Sequence, residues 1–299
     1  MWILCTLLTF ICWGTADLFY KIGNQGKGDN NHLKTGIMVG LIMGLHATIF
    51  LLVKKVPINL LEIIKYLPIS LCYISSMVIG YKGLKYLELS ISSPIQNTSG
   101  VITALLLIVF FKEHYNLPFY LAVLLIFIGI IILSLIELKT NKEERKNYKK
   151  NNKVKKVIAL TILFPLSYCL LDGAGTFLDA IYLDKMELIS EDLALIAYEY
   201  TFALYALVTY IYLKNKKEDF HILKEKPKLY AALFETGGQF FYVYAMSGNA
   251  TISAPIVGSY CVLSMLLSRI VLKEKLSKLE YLGIFFVLIG IVILAILDI

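Results

Sequence analysis

The chain has 299 residues, 58% of them hydrophobic and 17% charged, with a net charge of +7 and a mean hydropathy of +0.71. Soluble domains carry about half apolar and about a quarter charged residues, so this composition excludes a water-soluble fold and describes an integral membrane protein. The positive charge resides in the loops: residues 139–156 alone hold nine of the 29 Lys and Arg, which marks a solvated basic loop beside a membrane and implies no nucleic-acid partner.

A helix needs about 20 mostly apolar residues to cross a bilayer. Windows of that length predict ten spans, at 2–23, 35–53, 66–83, 90–111, 117–138, 157–183, 193–213, 229–246, 251–271 and 279–297. They take up most of the chain and leave no room for a soluble domain. The first span is no cleaved signal peptide, because it lacks a basic start and Asp17 and Lys21 stand where a small-residue cleavage site belongs.

Span 1 carries Thr6, Thr9, Trp13, Asp17 and Lys21 at helical spacing. Asp17 and Lys21 are i and i+4 in the favourable order, which suits either a snorkelling interfacial pair or a proton-linked carboxylate released by its partner when the site loads. In span 2, His46 stands alone on an apolar face and reads as a packing histidine. In span 4, Ser92, Gln96, Ser99 and Thr103 step by four, three and four, and Asn97 lies beside them. They make a polar stripe that runs into an otherwise aliphatic helix, with Pro94 in the first turn, where its missing N–H costs little. Spans 5 and 10 are almost wholly aliphatic and are expected at the periphery, against the lipid bilayer or a second copy of the chain as a homodimer.

Span 6 sets Tyr168, Asp172, Thr176 and Asp179 on one face. A charge at a span centre costs about 2.5–3.5 kcal/mol on insertion scales, so this face must look into the bundle. Asp179, nearer the end, reads as an interfacial carboxylate pairing with loop lysines. Span 7 aligns Tyr198, Phe202, Tyr205, Thr209 and Tyr212, with Glu199 alongside, and reads as packing. Span 8 puts Glu235, Gln239 and Tyr242 on one face beside Gly237 and Gly238, with Glu235 too deep to snorkel. In span 9 the stripe reads Ser253, Val257, Tyr260 and Ser264. The five cysteines, Cys5, Cys12, Cys72, Cys169 and Cys261, fall inside spans without metal-ligand spacing and read as small apolar residues. Metalloprotease, nucleophile-elbow and phosphate-loop motifs are missing, so neither metal nor cofactor is expected, nor ATP-driven pumping by this chain alone.

Residues 91–137 and 252–298 align without a gap at a shift of 161, with about 15 of 47 positions identical. ISSPI falls on ISAPI, Lys112-Glu113 on Lys273-Glu274, Tyr120-Leu121 on Tyr281-Leu282, and Gly129-Ile130 on Gly290-Ile291. The same shift places Gly14-Thr15 on Gly175-Thr176 and Tyr81 on Tyr242. The chain therefore divides into two five-span halves, 1–138 and 157–299, joined by the basic linker 139–156. An odd number of spans per half inverts one half relative to the other, the arrangement alternating-access transporters use.

Ten spans in five-plus-five form, WGTADLFYK at 13–21, a proline early in spans 4 and 9 and a Lys-Glu pair before spans 5 and 10 together resemble the drug/metabolite transporter superfamily, specifically the EamA-type ten-helix exporters. The resemblance covers the whole chain. It implies an all-α membrane protein of ten transmembrane helices, two inverted five-helix repeats around a central cavity, in the cell membrane. Members export amino acids, metabolites, drugs or nucleotide sugars, and usually keep both termini in the cytoplasm. The charge count points the other way: about 24 of the 29 basic residues follow spans 1, 3, 5, 7 and 9, which places both termini outside.

The cavity is expected between spans 1, 3, 4, 6, 8 and 9. Its candidate substrate-binding residues are Trp13, Asp17, Ser92, Gln96, Asn97, Ser99, Tyr168, Asp172, Thr176, Glu235, Gln239, Tyr242 and Tyr260, with Asp17, Asp172 and Glu235 as candidates for proton coupling. Within the spans Asp17, Asp172, Asp179, Glu199 and Glu235 outnumber Lys21 and Arg269. That balance suits a cationic or zwitterionic small molecule, or proton coupling, and opposes phosphorylated substrates, which call for Arg and Lys. The expected function is secondary active export of a small metabolite, amino acid or organic cation by alternating access. Two other classes stay open: a membrane-embedded enzyme using Asp172 and Asp179, which lie roughly 10 Å apart along the helix axis, and a non-transporting protein that binds lipid or a partner.

Overall fold

A computed structural model describes the chain except for residues 26–29, 59, 85–92, 94–95, 113, 148–151, 275 and 298–299. Among the described residues every regular element is helical. The helices are α1 (Trp2–Asn24), α2 (Asn31–Lys54), α3 (Leu60–Gly83), α4 (Thr98–Phe111), α5 (Leu117–Asn147), α6 (Asn152–Ala180), α7 (Glu191–Asn215), α8 (Lys226–Gly258), α9 (Cys261–Leu267) and α10 (Lys278–Leu297). A π turn, Ile181–Lys185, prolongs α6, and a second, Ser268–Leu272, prolongs α9. Among the described residues five stretches are long and apolar enough to cross a membrane: α1, α2, α3, α7 and the continuous run Lys226–Leu272. Leucines and isoleucines exposed along the outer faces, such as Leu41, Leu45 and Ile49 on α2 and Leu204, Leu207 and Ile211 on α7, suit contact with acyl chains.

Helix ends follow from local chemistry. The hydroxyl of Ser190 accepts the N–H of Leu193, and Glu191 and Asp192 occupy the first turn of α7, a side-chain cap with acids at the positive end of the helix dipole. Lys55, Lys112 and Lys273 close α2, α4 and the second π turn in left-handed conformation, where a cation suits the negative end.

Predicted spans 8 and 9 run together as α8, with the junction at Asn249, whose backbone is extended (φ −166°, ψ 91°). Asn249 Oδ1 accepts the N–H of Ile252 at 3.1 Å, and Asp184 Oδ2 accepts that of Ala250 at 2.9 Å. The second piece of α8 thus starts with two side-chain caps. Span 9, expected to continue unbroken, stops at Gly258 and resumes at Cys261. Ser259 (φ −83°, ψ 1°) makes the break, and its hydroxyl donates to Pro255 O at 2.6 Å. In span 4 the equivalent break falls at Asn97 (φ −82°, ψ 1°), whose amide donates to Ser93 O at 2.8 Å. In both places a short polar side chain competes for a backbone carbonyl and interrupts the helix ladder.

The basic stretch 139–156, expected as a loop, is helical over its described part: α5 continues to Asn147 and α6 begins at Asn152. Glu143, Glu144, Arg145 and Lys146 are good helix formers, and charge alone does not end a helix.

α1 packs along α8, α3 along α6, α2 along α7 and α5 along α10, while α4 lies against α8 and α6. Two apolar clusters result. The larger draws on α1, α2, α3, α4, α6, α7 and α8, and the smaller joins α5 and α10 to α4, the end of α8 and α9.

Candidate functional site

The α1–α8 contact sets the first wall. Gly238 lets the backbone of α8 approach Trp13: a Cβ there would stand 2.3 Å from Trp13 Cδ1. Thr9 donates to Gly238 O at 3.3 Å and the Trp13 indole to Glu235 O at 3.4 Å. So held, the indole tilts over Tyr242 at 4.9 Å and meets Tyr260 edge-on at 5.9 Å.

Three carboxylates reach the same space, each through hydroxyl partners. Asp17 Oδ2 accepts Ser93 at 2.6 Å and Ser264 at 2.9 Å, which ties α1 to the segment before α4 and to α9. Asp172 Oδ2 accepts Ser99 at 2.6 Å, across α6 and α4. Glu235 Oε2 accepts Tyr20 at 3.0 Å, across α8 and α1. The partners given to Asp17 are the Ser93 and Ser264 hydroxyls rather than Lys21. Lys21 is buried and donates to Leu84 O at 3.2 Å, so it does not snorkel. The i, i+4 pairing is replaced because two serines solvate the carboxylate from neighbouring helices.

These walls line a pocket with about 790 Å³ of empty space, open solvent included. The structure brings Trp13, Asp17, Gln96, Asn97, Ser99, Tyr168, Asp172, Thr176, Glu235, Gln239, Tyr242 and Tyr260 to its lining. Ser92 and Pro94 lie outside the described residues. The described lining contains three acids and no Lys, Arg or His. Eight aromatic rings face it, namely Trp13, Tyr20, Tyr73, Tyr81, Tyr168, Tyr198, Tyr242 and Tyr260. Carboxylates amid aromatic faces attract a cation by charge and by the ring quadrupole. One polar atom at the lining has no hydrogen-bond partner among the described residues, the amide nitrogen of Gln239, which is 2% exposed. Buried polar groups left in this condition are positions a ligand or water would satisfy.

Sequence reasoning missed Tyr20, Tyr73, Met77, Gly80, Tyr81 and Leu84 as lining residues, and took Tyr198 for packing. On α3 the signal was present as spacing: residues 73, 77, 80, 81 and 84 share one helical face. Tyrosine and methionine count as apolar in a hydropathy scan, which hid it. Small residues make the room here, since Gly175 lies against the Tyr73 ring and Gly80 against that of Tyr168.

Three further readings are corrected. Asp179 does not sit at the interface with loop lysines. It is 0% exposed, and its two oxygens accept Tyr66 at 2.5 Å and Tyr73 at 3.5 Å. His46 is no lone packing histidine: its Nδ1 lies 2.9 and 2.8 Å from the two oxygens of the buried Glu199. Arg269 is exposed over the Tyr281 ring, 5.0 Å from its centre, and belongs to no interior site. Tyr205 keeps the packing role expected of it, against Gly36 of α2. The five cysteines are free, with Cys169 and Cys261 buried and the rest half-buried. Among the described residues no group of three or more His, Cys, Asp or Glu is placed to hold a metal ion.

A profile of the EamA-like transporter family matches residues 1–135 and 159–296. Among solved structures, one titled "Crystal structure of protein" superposes with a TM-score of 0.67 at 12% identity, covering 98% of this chain and 95% of its own. That likeness bears on the fold. No curated protein matches.

Proposed function

Because the chain belongs to the EamA-like transporter family, we propose that it is a secondary transporter that exports a small cationic or zwitterionic metabolite, such as an amino acid or organic amine, by alternating access. The observation that carries this reading is one acid-lined aromatic cavity built from both ends of the sequence, between wall helices that are interrupted beside it at Asn97 and at Ser259. Interrupted helices at a central site are a transporter device, because they free backbone groups for substrate or coupling ions.

The two-repeat organisation, with halves 1–138 and 157–299, linker 139–156 and ten inverted spans, is part of the proposal. Its support is positional. Adding 161 carries the end of α1 at Asn24 to Lys185, that of α2 at Lys54 to Asn215, that of α4 at Phe111 to Leu272, and the start of α5 at Leu117 to Lys278, each an observed helix or π-turn boundary. The same exchange turns the α1–α8 contact into the α6–α3 contact, and returns α2–α7 and α5–α10 to themselves.

Asp172 and Glu235 are assigned to the substrate's positive group, with Asp17 beside them, and each is a candidate to exchange a proton for it. The Gln239 amide, without a partner among the described residues, is assigned to its polar end. Purified protein screened by thermal melting should be stabilised by amino acids, amines or aromatic cations. Proteoliposomes loaded with a hit should release it, more slowly in Asp172→Asn or Glu235→Gln. If no compound of these classes raised the melting temperature, the cationic-substrate assignment would fail. On charge, both termini are placed outside the cell; a reporter enzyme fused after Ile299 and active only in the cytoplasm would reverse that.

A further inference from the structure

The cavity ends, on one side, where three hydroxyls meet. Tyr73 lies 2.7 Å from the Tyr242 hydroxyl and 3.2 Å from Thr176 Oγ1. All three residues line the cavity, whereas the residues they lead to do not. Protons can be assigned in sequence. Thr176 donates to Asp172 O at 2.9 Å, Tyr242 donates to Tyr73, and the one Tyr73 proton goes either to Thr176 Oγ1 or to Asp179 Oδ2. One layer further out, the fully buried Tyr66 donates to Asp179 Oδ1, and Asp179 Oδ2 remains within 3.5 Å of Tyr73.

A second polar layer closes the same end. Immediately past Asp179 the chain enters the π turn, and its Asp184 caps Ala250. At the start of α7, Glu191 accepts Ser247 and Asp192 accepts Tyr244, both at 2.6 Å. Carboxylates from the α6–α7 connection thus hold the kinked middle of α8 in place, directly beyond the inner seal.

A carboxylate in a dry seam outside the substrate space has no need to touch the substrate, and apolar residues would pack a permanent plug as well or better. Its hydroxyl bonds differ from apolar contact in one respect: water can replace them at little net cost once the seam opens. An element of this kind can exchange between two discrete arrangements, closed and wetted.

We infer that Tyr66, Asp179 and Tyr73 form a gate that seals the cavity at the end marked by the Ile181–Lys185 turn and parts when the site faces that side. The inference rests on the alternating-access reading above. Tyr66 and Asp179 are positioning residues, acting on the cavity through Tyr73 and Tyr242.

The test reads access rather than flux, so it needs no known substrate. In a background with the five native cysteines replaced by alanine, Ser99→Cys places one thiol in the cavity. Its reaction with a membrane-impermeant maleimide is timed in right-side-out and inside-out vesicles. One face should label faster. Tyr66→Phe leaves Asp179 Oδ1 without its donor when closed, and should lower the ratio of the two rates about tenfold, the equivalent of about 1.4 kcal/mol. Asp179→Asn should lower it less, because the amide still accepts one bond. A ratio unchanged in either variant that retains the parent melting temperature, or a ratio near one before any gate substitution, overturns the gate. Absence of flux with the ratio shifted as stated would instead tell against the transport reading.

Discussion

The α5–α10 pair and the central cavity treat the internal repeat in opposite ways. Between α5 and α10 the two tightest glycine approaches are images of each other. A Cβ on Gly129 would stand 2.6 Å from Val287 Cγ2 and 2.7 Å from Gly283 O, and one on Gly290 would stand 2.6 Å from Ile126 Cγ1 and 2.7 Å from Ala122 O. Those two sets of residues are related by 161 throughout. At the cavity the same operation finds no matching charge: Asp17 falls on Leu178, Asp172 on Ile11 and Glu235 on Ile74. The gate carboxylate Asp179 falls on Leu18.

The difference separates two demands. A scaffold that can take two arrangements related by exchange of its halves needs equivalent helix contacts in both halves, and small residues that admit the partner backbone supply them. A site that binds one molecule in one orientation needs no such equivalence. Charges without an image in the other half also make two arrangements related by exchange of the halves unequal in energy. The outer pair therefore keeps the symmetry, and the inner wall discards it.

The largest expected effect follows from the discarded half. Asp172→Asn and Glu235→Gln each remove one charge from the cavity and should lower flux about tenfold to a hundredfold, the range of a hydrogen bond to a charged group. Melting temperatures should move little, because the side chains keep their shape. Unchanged flux in both would mean that the asymmetry of the cavity is not where substrate is held. Next in size are the glycines of the retained half. Gly129→Ala and Gly290→Ala each press a methyl into a carbonyl oxygen and a branched side chain, and should cost about 1–3 kcal/mol of stability. Equal shifts in thermal melting are expected from the pair, and clearly unequal ones would break the comparison on its symmetric side.

Much of this was legible before any coordinates. An apolar chain interrupted by charges must turn those charges inward, so Asp17, Asp172 and Glu235 marked the interior faces of their helices. Periodicity then carried Trp13, Thr176, Gln239 and Tyr242 to the same faces. The breaks at Asn97 and Ser259 were not legible, because an isolated Asn or Ser is compatible with a continuous helix and only its rotamer decides. The Asp179 seal and the His46–Glu199 pair failed to appear for another reason. Each depends on a partner more than 100 residues away, and a lone His or terminal Asp on one helix carries no trace of it. Helical continuation through 139–147 was obscured by charge, which predicts solvation more firmly than it predicts backbone.

The His46–Glu199 pair is the exception to the comparison, being asymmetric yet absent from the cavity lining. It joins α2 to α7, with Glu199 buried and the histidine ring among Phe50 and Phe240. Its images under the shift are Leu207 and Met38, residues already at home in such positions. If the pair only packs, restoring symmetry should be the mildest change of all. The double variant His46→Leu with Glu199→Met should keep flux and hold or raise the melting temperature, since apolar residues commonly replace a buried ion pair without loss. Glu199 left without its partner, in His46→Leu alone, should instead lose about 1–3 kcal/mol. A double variant that melts normally but transports poorly would place this pair among the working charges, and the line between symmetric scaffold and asymmetric site would then have to be drawn outside the cavity.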